Sequence, residues 1–181
     1  MGQTPFVERQ ELARALYRAA HLTGTFTLRS GHTSTEYFDK FQFTSRPELL
    51  DAVSSQLAAM VPSDVEVLAG LQLGGVPLAA SLSLKTGLPA VYVRLERKAY
   101  GTGRICEGVP VRDRVVAVVE DVVTTGRQVG LSTADLRVEG ADVRYALAVV
   151  DREQGGHASL AEHGLDFRAL FTTAELERAA R

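Results

Sequence analysis

Apolar residues recur along this chain with two different periods, and their alternation outlines a fold. Leu12, Leu16 and Ala20, with Tyr17 beside them, share one face of a first helix. Thr25-Phe26-Thr27-Leu28-Arg29-Ser30-Gly31 and Tyr37-Phe38-Asp39-Lys40-Phe41-Gln42-Phe43 alternate aromatic with polar residues in part. They predict a small β-hairpin apart from the main sheet, with Phe41 and Phe43 in an aromatic cluster of its own. Ser45-Arg46-Pro47-Glu48 has the spacing of a capping box, in which the hydroxyl accepts a free N–H and the glutamate reaches back. Behind it Leu50, Val53, Leu57 and Met60 mark a second helix face.

Strands and helices then alternate. Residues 65–69 form a short strand, followed by a glycine-rich turn over 70–75 and a small-residue helix from Pro77. Further strands are predicted over 90–94, 115–119, 143–150 and 167–171, with a helix over 128–138. The five consecutive apolar residues of 115–119 mark a strand buried on both faces. Thr172-Thr173-Ala174-Glu175 caps a terminal helix. Such alternation implies parallel strands joined by right-handed crossovers. The chain has 181 residues and shows no repeat or linker, so it is read as one α/β domain over 1–181.

Composition narrows the setting. Hydrophobic residues make up 45% and charged residues 23%, the balance of a globular protein. A net charge of -2 gives no global basic field, so nucleic acid is not an expected partner. No apolar run reaches membrane-spanning length, and the N-terminus lacks the regions of a signal peptide. The single cysteine, Cys106, forms no internal disulfide. The expected location is the cytoplasm.

The chemistry concentrates after the buried strand, where residues 115–126 read V-V-A-V-V-E-D-V-V-T-T-G. In open α/β sheets ligands gather outside the carboxyl ends of strands. Glu120 and Asp121 can accept hydrogen bonds from vicinal ribose hydroxyls, and Thr124 and Thr125 supply hydroxyl donors. Gly126 lets backbone N–H groups approach a phosphate at the positive end of the next helix. The competing reading is a strand end followed by a plain helix cap. No P-loop is present, and the start at Gly101-Thr102-Gly103 of a dinucleotide fingerprint fails because Cys106 occupies the third glycine position.

This stretch resembles the phosphoribosyl pyrophosphate (PRPP) loop of the type I phosphoribosyltransferases. The resemblance implies their fold, a central parallel sheet flanked by helices with a small N-terminal hood, here about residues 1–45. It also implies PRPP contacts from Glu120, Asp121, Val122, Val123, Thr124, Thr125, Gly126 and Arg127. Leu28-Arg29-Ser30-Gly31, Ser34 and Tyr37-Phe38 are similar to the hood motif of the orotate phosphoribosyltransferases. That likeness implies Tyr37 and Phe38 near the base, together with Thr124, and Arg29 near phosphate or carboxylate. The run from Gly70 through Gly74-Gly75 to Ala79 looks like the pyrophosphate loop, which needs tight bends and inward N–H groups. The run from Val93 to Gly103 resembles the catalytic loop, implying pyrophosphate contacts from Arg94, Lys98 and Tyr100. Leu95 departs from a lysine common there, and Arg97 adds a charge. Asp151-Arg152 resembles a strand-end pair whose arginine meets the orotate carboxylate, a task suited to a guanidinium fork.

The family chemistry so implied joins orotate to PRPP, with Lys98, Arg94 and Asp121 as catalytic residues and Mg²⁺ carried by PRPP rather than by protein side chains. It also implies a homodimer with shared active sites. Two rivals stay open: a phosphoribosyltransferase for a purine, xanthine or specialised base, and a PRPP-sensing regulator without turnover. His21, His32, His157 and His163 show no metal-ligand spacing and read as surface histidines, except that the place of His32 within the hood motif also allows a ligand contact, while Cys106, placed in a flexible loop, reads as open to reaction.

Overall fold

The computed structural model describes residues 8–27, 31, 33–97 and 103–181, with Ser34 described by its backbone alone. Its centre is a six-stranded sheet. In chain order the strands are β3 (Val67–Leu71), β4 (Ala90–Val93), β5 (Cys106–Glu107), β6 (Val115–Val123), β7 (Asp142–Asp151) and β8 (Asp166–Thr172), after a separate hairpin of β1 (His21–Thr27) and β2 (Thr33–Phe38). The spatial order is β5-β4-β3-β6-β7-β8. All neighbours are parallel except β4 and β5, so the expected parallel sheet gains one short antiparallel edge.

The chain leaves β3 toward β4 on one side, then returns to place β6 on the other. Strand order therefore reverses between β3 and β6, and a crevice opens at their carboxyl ends. The helix α4 (Gly75–Thr86) follows β3, and α5 (Arg127–Val138) follows β6. Both helices begin at that crevice.

Residue alternation along β6 builds two cores. Ala117 and Val119 join the layer that contains Leu12 and Leu16 of α1 (Arg9–Ala20), Val53 and Leu57 of α3 (Pro47–Ala58), Leu78 of α4 and Leu176 of α7 (Thr173–Ala180). Val116 and Val118 join the opposite layer with Val129 and Leu136 of α5 and Leu160 of α6 (Gly156–Glu162). The first helix thus belongs to the main body, and the hairpin alone stands outside the six-stranded sheet.

Several boundaries differ from expectation for physical reasons. β3 runs to Leu71 because Gly70 lets α4 lie close: a Cβ there would come 2.6 Å from the Gly75 carbonyl oxygen. α4 begins at Gly75, ahead of Pro77, which sits in the first turn where its missing N–H is no loss. β6 continues past Val119 because Val122 and Val123 stay in register with Val150 and Asp151. The acid pair is therefore strand, not loop. The capping box at Ser45 does not form: Arg46 precedes the helix without a side-chain cap, and the Ser45 hydroxyl bonds the Gln42 carbonyl at 3.4 Å. The terminal helix has its box, with Glu175 N–H donating to Thr172 Oγ1 at 3.2 Å and Thr172 N–H to Glu175 Oε2 at 2.8 Å. Phe41 and Phe43 lie in the short helix α2 (Phe41–Thr44), with Phe43 wholly buried in the main core rather than in a hairpin cluster. No helix among the described residues is long and apolar enough to cross a membrane.

Candidate active site

The crevice is floored by the two acids of β6. Burial, first of all, and the neighbouring Asp121 push the Glu120 carboxyl up to about 9, while the Asp121 N–H and Lys40 pull the other way. At neutral pH Glu120 therefore keeps its proton. Glu120 Oε1 accepts the Asp121 N–H at 2.9 Å. Asp121 is 0% exposed, and its Oδ1 accepts both the Val122 N–H at 2.6 Å and the Lys40 ammonium at 3.0 Å. Its Oδ2 is buried without a hydrogen-bond partner among the described residues.

Glycines bring the neighbouring loop onto these acids. A Cβ on Gly74 would overlap the Asp121 carboxylate, and one on Gly75 would collide with the Val119 carbonyl oxygen. Gly126 has a φ of 76°, the left-handed turn that swings the chain from β6 into α5. The first N–H groups of α5 then face a cavity of about 430 Å³, lined by Glu120, Val122, Val123, Thr124, Thr125, Gly126, Arg127 and part of α5's first turns. Arg127 N–H reaches only Thr125 Oγ1, at 3.5 Å. Polar hydrogen-bonding groups and a helix N-terminus make this an anion and sugar site.

A second cavity, about 230 Å³, opens one strand over. Tyr37 and Phe38 of β2, Val150 and Arg152 at the end of β7, and Tyr17, His21 and Leu176 line it, together with the polar Glu36, Thr173 and Glu177. Val122 of the first cavity and Val150 of the second are register partners on adjacent strands. Arg152 is held there by its N–H, which donates to the Val123 carbonyl at 2.9 Å.

The expected residues are thus largely, but not wholly, brought together. Thr124 lines the loop cavity and not the aromatic one. Asp121 is buried and lines neither, although its neighbours Glu120 and Val122 line the loop cavity. Arg94, at the end of β4, is ion-paired with Glu107 at 3.2 Å and lines neither cavity. Arg97 does not stand in for the missing charge at Leu95: it pairs with Glu139 at 2.6 Å. Arg29, Lys98 and Tyr100, with His32, lie outside the described residues. Cys106 corrects the expectation of a reactive loop thiol, since it is a buried residue of β5 whose thiol burial pushes up. His21 is no plain surface histidine either, because it stacks on Tyr17 at 4.7 Å beside the second cavity. His157 meets Phe167 edge-on at 5.4 Å. Sequence reasoning missed Tyr17, His21 and, above all, Lys40, whose partner lies 81 residues away.

Known proteins resemble this chain in sequence and fold. An orotate phosphoribosyltransferase of Nocardioides sp. (strain ATCC BAA-499 / JS614) is 45% identical over 168 residues, covering 93% of this chain and 94% of the relative. The chain belongs to the orotate phosphoribosyltransferase family. The orotate phosphoribosyltransferase of Mycobacterium tuberculosis H37Rv, in a crystal structure with Fe(III) dicitrate, superposes with a TM-score of 0.84 at 31% identity, covering 93% of this chain and 98% of that one. A structure of the same enzyme in complex with PRPP gives a TM-score of 0.80 at 28% identity over 93% and 98% of the two chains. No general protein-family model matches the sequence. Among the described residues of this orotate phosphoribosyltransferase family member, no group of three or more His, Cys, Asp or Glu side chains is placed to hold a metal ion.

Proposed function

We propose that the protein transfers the 5-phosphoribosyl group of PRPP to orotate, giving orotidine 5′-monophosphate and pyrophosphate in de novo pyrimidine synthesis. One observation carries this reading most directly. A polar cavity at a helix N-terminus adjoins a cavity with aromatic walls and an arginine, across one pair of strands. The first suits a sugar phosphate; in the second, Arg152 offers its fork to a carboxylate between aromatic walls, beside the acids Glu36 and Glu177.

In this reading the loop from Val122 to Arg127 holds the 5-phosphate, and Glu120 and Asp121 address the ribose. Tyr37 and Phe38 flank orotate, and Arg152 meets its carboxylate. The anomeric C–O bond breaks as the base nitrogen bonds to that carbon, and the nitrogen's proton is released. Alignment and electrostatic stabilisation of the departing pyrophosphate are the catalytic tasks. Arg94 and Lys98 are assigned to that leaving group, with Gly74, Gly75, Tyr100 and Arg29 as further PRPP contacts. Arg94 must then leave Glu107, so closure of the catalytic segment is part of the proposal.

Mg²⁺ is proposed to arrive on PRPP, with no protein side chain assigned as its ligand. The oxygen-rich lining of Glu120, Thr124, Thr125 and Gln128 suits an ion that prefers oxygen and retains water. When bound it neutralises charge on the diphosphate. A homodimer with shared sites and a cytoplasmic setting complete the proposal, the latter in keeping with a buried free thiol.

The experiment is direct: supply PRPP, Mg²⁺ and, separately, orotate, uracil, adenine, hypoxanthine and xanthine, and identify the nucleotide formed. Product with orotate is expected. Product from a purine alone would reassign the acceptor, and no product from any base would favour a PRPP-sensing regulator. With orotate accepted, Lys98→Ala is expected to lower turnover strongly without loss of the fold.

A further inference from the structure

An ion pair links the end of the hairpin to the main sheet, between half-buried Lys40 and wholly buried Asp121. Lys40 lies two residues beyond the end of β2 and is firmly placed. The Asp39 N–H donates to the Ala20 carbonyl at 2.7 Å, and the Asp39 carboxylate accepts the Phe41 N–H and the Gln42 side-chain amide, each at 3.1 Å. Behind the ammonium, the Phe41 ring centroid is 5.7 Å away.

The carboxylate is used asymmetrically. Oδ1 takes both Lys40 and the Val122 N–H, whereas Oδ2 has no partner among the described residues although it is buried. Buried acceptors are nearly always satisfied. A pair kept only for stability would be expected to use both oxygens. Here the vacant acceptor lies against Gly74, at the turn where a side chain is sterically excluded, between two residues that line the strand-end cavity.

We infer that Lys40 is a positioning residue for the sugar phosphate, fixing Asp121 through Oδ1 so that Oδ2 is left to accept a hydrogen bond from a ribose hydroxyl of the ligand. This rests on the phosphoribosyl reading above and deepens it. It also joins the two halves of the site, because Lys40 follows Tyr37 and Phe38 on the same short stretch. The segment that walls the base cavity orients the acid beneath the sugar.

The test compares the wild-type chain with Lys40→Met, Lys40→Arg and the double variant Lys40→Met/Asp121→Asn. Titration calorimetry with ribose 5-phosphate and with PRPP reads the sugar subsite without a base and without turnover. Lys40→Met is expected to weaken both ligands about tenfold or more, and Lys40→Arg to stay within about threefold of wild type. In steady state the KM for PRPP should rise while that for orotate changes less than about twofold. The double variant removes both charges and so protects the fold, yet it should still bind the sugar phosphate weakly. Wild-type affinity in Lys40→Met, or its recovery in the double variant, would overturn the inference, since a purely structural pair predicts the latter. A wild type that binds ribose 5-phosphate but makes no nucleotide defeats the transferase reading alone; one that binds neither ligand defeats both.

Discussion

The two ends of the central sheet treat their acids in opposite ways. At the amino-terminal end, Asp64, Asp142 and Asp166 lie exposed, and each has an arginine: Arg144 spans Asp64 and Asp142 at 2.9 and 2.5 Å, and Arg168 meets Asp166 at 2.6 Å. The Tyr145 hydroxyl adds a bond to Asp64 at 2.9 Å, and that bond, ahead of Arg144, holds the Asp64 carboxyl below its ordinary value of 3.8. At the carboxyl-terminal end, Glu120 and Asp121 share one cation and leave an oxygen empty. The first set is solvated and complete. The second is buried and incomplete, and for a carboxylate at a strand-end crevice that points to a ligand that completes it.

The sharpest way to break this comparison is to crowd the incomplete end. Gly74 has an ordinary φ of -68°, so its need for glycine is steric alone. In Gly74→Ala the new methyl would force the Asp121 carboxylate aside. The expected loss in kcat/KM for PRPP is about a hundredfold or more, with destabilisation of about 1–3 kcal/mol from overpacking. Steady-state kinetics and urea unfolding measure the two effects. Near-normal turnover would mean that the position of Asp121 is immaterial.

The second effect is on stability and has a definite sign. Glu120 ionises at about 9 in the fold against an ordinary 4.5, so between those values the folded state binds the extra proton. Wild-type stability should therefore fall as pH climbs through that window, at no more than about 1.4 kcal/mol per pH unit. Glu120→Gln keeps the shape and removes the titration, so its stability should hold steady over the same window. Unfolding curves across the range would show it, and parallel trends in the two proteins would remove the claim that Glu120 is held neutral.

The same contrast explains what could be read before the fold was known. The strand run at 115–119, the T-T-G turn and the Gly74-Gly75 pair are contiguous signals whose meaning depends on near neighbours, and the fold follows them closely. Thr172 to Glu175 is equally local and forms its box. Ser45 has the same letters, but the preceding short helix claims its hydroxyl. Lys40–Asp121 and Arg97–Glu139 join residues far apart in the chain, Arg94–Glu107 spans an antiparallel edge, and no periodicity announces such pairs. The burial of Cys106 is likewise non-local: the antiparallel edge sets it opposite Val93, and it packs into the second core rather than staying with its glycine-rich neighbours.

The smallest expected effect lies at the complete end, and it makes the comparison most exacting. Asp64→Asn keeps an acceptor for the Tyr145 hydroxyl and loses only an exposed charge beside Arg144. Because the folded Asp64 carboxyl titrates lower than an unfolded one, its contribution is present above the ordinary value of 3.8 and is lost as pH falls through the folded value. At neutral pH the variant should melt within about 3 °C of wild type, as exposed pairs add little. In acid, where both chains carry a neutral group at this position, the difference should close. Turnover with PRPP and orotate should not change, since the whole sheet separates this cluster from the crevice. A fall in kcat without a matching fall in Tm would show that the two ends communicate, and that an acid's state of completion does not by itself mark which end of the sheet works.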